Sequence, residues 1–115
     1  MILAVVDDLL FSSKIRAAAT AVGAAIRFAR TRESALAGLR EAHPTVVILD
    51  LDRAALGPIA LIQHIRKDAA LGGVSVVAFA SHVHVDLIQA AKDAGANKVL
   101  ARSGFVAALP DVVRS

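Results

Sequence analysis

The sequence has no cysteine, no tryptophan and no tyrosine, and only three prolines among its 115 residues. Without cysteine there is no disulfide, no thiol nucleophile and no cysteine-ligated zinc, a composition that fits a reducing cytoplasm. Four phenylalanines are the whole aromatic complement, too few to build the stacking platforms that hold single-stranded nucleic acid. Nor is charge of one sign gathered anywhere: 13 basic residues are scattered among 10 acids, and the longest basic run is Arg66-Lys67. The net charge of +3 therefore reads as a solvated surface, and nucleic acid is not expected as a partner. Long apolar runs are missing too. The run from Ile2 to Val6 lacks a basic leader and stops at Asp7 and Asp8, and the alanine-rich stretch from Ala17 to Ile26 is short and interrupted. Neither reads as a signal peptide or a membrane span, so the expectation is a cytoplasmic protein with no membrane partner.

What is present is aliphatic. Hydrophobic residues make up 57 % of the chain, enough for a substantial core in one domain over residues 1–115, with no length left for an effector module. Short β-branched runs alternate with segments of helical period, which predicts a parallel sheet with helices on both faces. Strands are expected at Ile2 to Val6, Ala24 to Ala29, Val46 to Leu51, Val74 to Ala80 and Val99 to Ala101. Between them fall helices: one carrying Phe11, Ile15, Ala19 and Val22 and stopping at Gly23, and one capped by Thr31 that ends before His43-Pro44. A third opens at Pro58 and buries Leu61, Ile62 and Ile65, and a fourth carries Leu87, Ile88 and Ala91 up to Gly95. Gly72-Gly73 reads as a turn. Pro110 sits where a fifth helix should have its interior, so that helix is expected to be short, broken, or to begin at Pro110. Five such units make an α/β doubly wound domain, flavodoxin-like, of strand order 2-1-3-4-5.

In such a sheet the functional crevice lies beyond the carboxyl ends of the strands, where the order reverses between the first and third. Asp7 and Asp8 leave the first strand there and Asp50 leaves the third. Each acid taken singly could simply meet solvent, and Asp8 is well placed to cap the helix carrying Phe11. Gathered together, three carboxylates repel unless a cation answers them. Mg2+ suits the role, since it is hard, prefers oxygen and is held by one or two carboxylates with water. Such an ion would also neutralise charge during phosphoryl transfer to an aspartate.

With the acidic pair Asp7-Asp8, the VVILD segment ending in Asp50, the HIR segment from His64 to Arg66 and the Ala94-Gly95-Ala96 turn in view, the chain resembles the receiver domain of two-component response regulators from Ile2 to about Phe105. The resemblance implies a CheY-like fold and phosphorelay signal transduction, with Asp50 as phosphoacceptor. It also implies a Mg2+ site, with Asp8 ligating directly, Asp7 through water, Asp50 by its carboxylate and Asp52 by its backbone carbonyl. The implied partners are a histidine kinase or phosphotransfer protein and a downstream protein, with a weak homodimer on the face of helix four and strand five. Any catalysis would be confined to the protein's own phosphorylation and dephosphorylation.

The pattern also departs from that family. The hydroxyl residue expected at the end of strand four falls on Ala80, with Ser81 beside it reading as a helix cap. The strand-five lysine falls on Arg102, the proline after it on Ser103, and the switch aromatic on Val99. Arginine keeps the charge but offers a planar fork in place of an ammonium point. Two readings stay open: an atypical receiver phosphorylated on Asp50, and a phosphorylation-independent pseudo-receiver acting as a protein-protein interaction module. A nucleotide or flavin binder ranks below both, for want of a phosphate loop. The His82, His84 and Asp86 group has the residue types of a metal site, but residues two apart on a helix do not face one side.

Overall fold

The structure, a computed structural model, describes residues 1–114; Ser115, the last position of the expected domain, lies outside the described residues. Strand and helix alternate along the chain. They run β1 (Ile2–Val5), α1 (Leu9–Ala21), β2 (Ile26–Ala29), α2 (Arg32–Glu41) and β3 (Val46–Asp50), then α3 (Pro58–Lys67), β4 (Ser75–Ala80), α4 (Val85–Ala94), β5 (Lys98–Ala101) and α5 (Arg102–Val112). The strands form one parallel sheet in the order β2-β1-β3-β4-β5, as the alternation predicts. Ile2 stands opposite Val46 and Val5 opposite Leu49, so the first and third strands end side by side.

Every residue of β1 and β3 is buried, because helices cover both faces of a parallel sheet and a continuous aliphatic run suits both. Alternate side chains feed two layers. Leu3, Val5, Val47 and Leu49 pack against Leu39, Leu61, Ile62 and Ile65 of α2 and α3. Ala4, Ile48, Val77 and Phe79 pack against Phe11, Ile15, Phe105 and Leu109 of α1 and α5. Thr31 caps α2 through a reciprocal pair with Ser34, and Pro58 fills the first turn of α3. At the end of α1, Gly23 turns with φ 69° and the Ala24 N–H still donates to the Ala19 carbonyl at 2.9 Å. That closure delays β2 to Ile26, two residues later than expected. Two short 3-10 turns, Ala54–Leu56 and Ala69–Leu71, were not foreseen; the Asp68 carboxylate caps the second by accepting the Ala70 N–H at 2.9 Å.

The fifth helix also corrects the sequence reading, since it runs unbroken through Pro110 to Val112. Proline in a helix interior costs about 3 kcal/mol. Phe105, Leu109 and Val112 are all buried along one stripe, each contributing about 1.5–3 kcal/mol by leaving water. Burial outweighs the lost hydrogen bond, and Pro110 stays on the exposed side.

Two motifs separated in sequence prove to be one contact. Arg66 at the end of α3 donates from Nε to the Gly95 carbonyl at 2.8 Å and from Nη1 to the Val74 carbonyl at 3.0 Å. Gly95 has φ 112°, and a Cβ there would stand 2.8 Å from Arg66 Cγ, so glycine is required on both counts. Among the described residues no helix is long and apolar enough to cross a membrane.

Candidate functional site

The crevice is assembled from four loop ends. Val6 is the last buried apolar residue after β1, and the chain then turns outward, which leaves Asp7 and Asp8 part-exposed at the carboxyl edge. Asp8 caps α1, its Oδ1 accepting the Phe11 N–H at 3.0 Å, while its other oxygen faces inward. Asp7 pairs with Arg53 from the loop after β3. Asp50 ends β3 and is fully buried. Its Oδ1 accepts the Asp52 N–H at 2.9 Å.

Arg102, the first residue of α5, draws these acids together. Its Nη2 lies 3.2 Å from Asp50 Oδ2, its Nε 2.9 Å from Asp52 Oδ2 and its Nη1 3.9 Å from Asp8 Oδ2. The guanidinium sits over an aromatic floor, 4.6 Å from the ring centre of Phe11 and 5.3 Å from that of Phe79. Phe79 in turn stacks on Phe105 at 4.5 Å. A cation over ring faces is attracted by their negative quadrupole, so the floor fixes the arginine from below while the acids hold it from the side.

Asp52 contributes more than the sequence suggested. Its carboxylate accepts the Ser81 N–H at 2.9 Å on Oδ2 and 3.1 Å on Oδ1, and the His84 Nδ1 lies 2.6 Å from Oδ1. Ser81 was expected to cap α4; that helix has no side-chain cap, and His84 occupies its N-cap position. The loop between β4 and α4 is held instead by Asp52. Two of the elements that meet here, Asp52 and His84, are 32 residues apart, and no local pattern joins them. The only signal available was an acid two positions beyond Asp50 and two histidines, His82 and His84, in the opposite loop.

The two acids at the end of β3 are shifted in opposite directions. Burial raises the Asp50 carboxyl above its ordinary value, against the Asp52 N–H and the Arg102 charge, with the charges of Asp52 and Asp8 adding to the rise. Burial also pushes Asp52 upward, but the His84 bond, the Arg102 bond and the Ser81 N–H together outweigh it and hold Asp52 below the ordinary value.

The crevice thus brings Asp8, Asp50, Asp52 and Arg102 into one contact set, with Asp7 at its rim. Asp8 and Asp50 present oxygens to a single space in which a guanidinium, itself a cation, stands. Two carboxylates completed by water are what Mg2+ usually takes from a protein, so the donor chemistry fits a hard divalent ion that shares its ground with Arg102. Among the described residues no group of three or more His, Cys, Asp or Glu is disposed to hold a metal. Ala80 is fully buried with no hydroxyl to offer, and Val99 is half-buried against the aliphatic layer. His82 and Asp86 are exposed.

No protein-family model matches the sequence, and no curated protein matches it significantly. Solved structures do match. The Mn2+-bound form of the response regulator Rcp1 superposes with a TM-score of 0.81 at 17% identity, over 96% of this chain and 89% of that one. The phosphorylated cyanobacterial phytochrome response regulator RcpA gives 0.81 at 23% identity, over 98% and 87%. The signal receiver domain of a DNA-binding response regulator from Colwellia psychrerythraea 34H gives 0.83 at 20% identity, over 99% and 98%. At these identities the likeness is one of architecture, and it covers 96% or more of the chain. The five-stranded sheet, its order and its covering helices are those of the response-regulator receiver domain, and this chain has that fold.

Proposed function

We propose that this chain is an atypical receiver in two-component signal transduction, accepting a phosphoryl group on Asp50 from a histidine kinase, a phosphotransfer protein or a small phosphodonor. One observation carries the reading: among the described residues Asp50 is the only fully buried acid, and its Oδ2 is bonded to the guanidinium that also reaches toward Asp8. A nucleophile needs a fixed position and a way to offset the incoming charge, and most of phosphoryl transfer is such positioning and electrostatics. Mg2+ would be held by Asp8 and Asp50, with the Asp52 carbonyl and, through water, Asp7; when bound it supplies positive charge to the phosphoryl oxygens. Arg102 stands in place of the usual lysine and holds the attacking carboxylate of Asp50, while the departing group leaves with the phosphodonor. The Mn2+-bound and phosphorylated neighbours support extending both properties to this chain, and a cytoplasmic location goes with them.

The second reading, a phosphorylation-independent interaction module, is favoured by a different observation. Arg102 already bonds Asp50 and Asp52, and no hydroxyl at position 80 awaits a phosphoryl oxygen. Intact mass after treatment with a small acyl phosphate decides between them. The first reading expects a labile mass gain that needs Mg2+ and is lost in Asp50→Asn. No gain, or an equal gain in Asp50→Asn, would leave the second.

A further inference from the structure

Conformational signalling requires contacts that differ between two states, and the hydroxyl and ring that would make such contacts at positions 80 and 99 are alanine and valine. A different connection is built into the same crevice. Arg102 divides its guanidinium between two acids, Nη2 to Asp50 at 3.2 Å and Nε to Asp52 at 2.9 Å. Asp52 then divides its carboxylate between that guanidinium and the β4–α4 loop, through the Ser81 N–H and His84. Among the described residues Asp52 is the one side chain bonded both to Arg102 and to that loop.

We propose that the Asp52 carboxylate is a positioning residue that couples the charge on Asp50 to the conformation of the β4–α4 loop. The guanidinium is planar and rigid, so Nε and Nη2 cannot adjust independently. A change of charge at Asp50 re-seats Arg102. Asp52 then shares its oxygens differently between the arginine and the loop. The loop carries Val83 and leads into Val85 at the start of α4, 66% and 67% exposed, so re-seating it alters an apolar patch beside the crevice. The inference deepens the proposed function by supplying the output step for the same site.

The experiment uses the full chain and a substitution as the trigger, so that it does not depend on phosphorylation. Amide NMR shifts of residues 81–86 are compared between the parent and Asp50→Asn, first alone and then in backgrounds that cut the relay. The loop amides are expected to shift on Asp50→Asn, and to respond roughly fivefold less when Asp52→Asn is also present. Arg102→Lys supplies a second cut that leaves Asp52 intact: an ammonium keeps the charge yet cannot span both acids, and the loop response is expected to collapse as well. Arg53→Gln, which changes the side chain paired with Asp7 at the rim, leaves the response unchanged. A loop response of full size in Arg102→Lys would overturn the proposal, since it would mean that the signal travels along the backbone from Asp50 to Asp52. Absence of an acyl-phosphate mass gain would count against the phosphoacceptor reading alone, because the coupling is read without a phosphoryl group.

Discussion

Two pairs of acids meet in the crevice, one leaving β1 and one leaving β3, and solvent treats them differently. The side chains of Asp7 and Asp8 are 35% and 40% exposed, those of Asp50 and Asp52 0% and 14%. The first pair is held mainly by one partner each, Arg53 for Asp7 and the first turn of α1 for Asp8, with water available for the rest. The second pair has little water and depends on Arg102, backbone N–H groups and His84. Within that pair the balance differs again. Asp50 has one N–H and part of a guanidinium against full burial, so its charge is disfavoured; Asp52 has four bonds against slight exposure, so its charge is favoured. The same residue type at the same edge of a sheet becomes a capping group, a buried acid with few donors or a structural clasp according to how many donors reach it.

The largest expected effect tests the clasp against the cap. Asp52→Ala removes a carboxylate from Arg102, the Ser81 N–H and His84, and hydrogen bonds to charged groups are worth about 1.5–3 kcal/mol each before water recovers part of the loss. We expect about 2–3 kcal/mol of lost stability by urea denaturation, against about 1 kcal/mol for Asp8→Ala, the usual worth of a helix cap. Equal losses would mean that Asp8 belongs to the buried unit and that the two pairs are not physically distinct.

The second test is one of pH, and it separates the members of the buried pair. A carboxyl raised by folding binds protons more readily in the native state, so its contribution is present below the unfolded value near 3.8 and is lost as pH rises through the folded one. Asp50→Asn is therefore expected to be more stable than the parent at neutral pH, with the advantage vanishing in acid. For Asp52, lowered by folding, the sign reverses: its contribution is present above 3.8 and is lost as pH falls through the depressed value. Asp52→Asn should thus be less stable than the parent at neutral pH and converge on it in acid. Thermal midpoints recorded for the parent and both variants across this range give the comparison. Curves that run parallel would break it.

The sheet order and the placing of Asp7, Asp8 and Asp50 at one edge could be read from the chain because both follow from local pattern and a fixed rule of parallel sheets. VVILD is aliphatic up to its last residue, and strand ends share an edge. The charge of Arg102 was legible for the same reason. The aromatic floor was not: Phe11, Phe79 and Phe105 come from α1, β4 and α5 and converge only once the layers close. Nor was the Asp52 to His84 bond, which joins two loops whose paths are set by the 3-10 turn at Ala54–Leu56 and the late start of α4 at Val85. Pro110 misled in the other direction, since a local rule about proline yields to a stripe of three buried side chains. Tertiary contacts decided what local propensity could not.

The smallest expected effect sits at the rim. Arg53 and Asp7 are 52% and 35% exposed, and an ion pair in that setting gains little over the same charges in water, because the dielectric is high and long side chains must be ordered. Arg53→Gln should cost no more than about 0.5 kcal/mol. What loss there is should fade as salt is raised from low to near-molar concentration, where charges more than about 3 Å apart are screened. Arg102 differs in kind: at 31% exposure it lies against two rings and three acids, where ions have limited access. If Arg53→Gln instead cost several times more, with no salt dependence, Asp7 would have to be drawing on the buried charges beneath it. The crevice would then be one electrostatic unit, and the division between its solvated rim and its dry interior would fall.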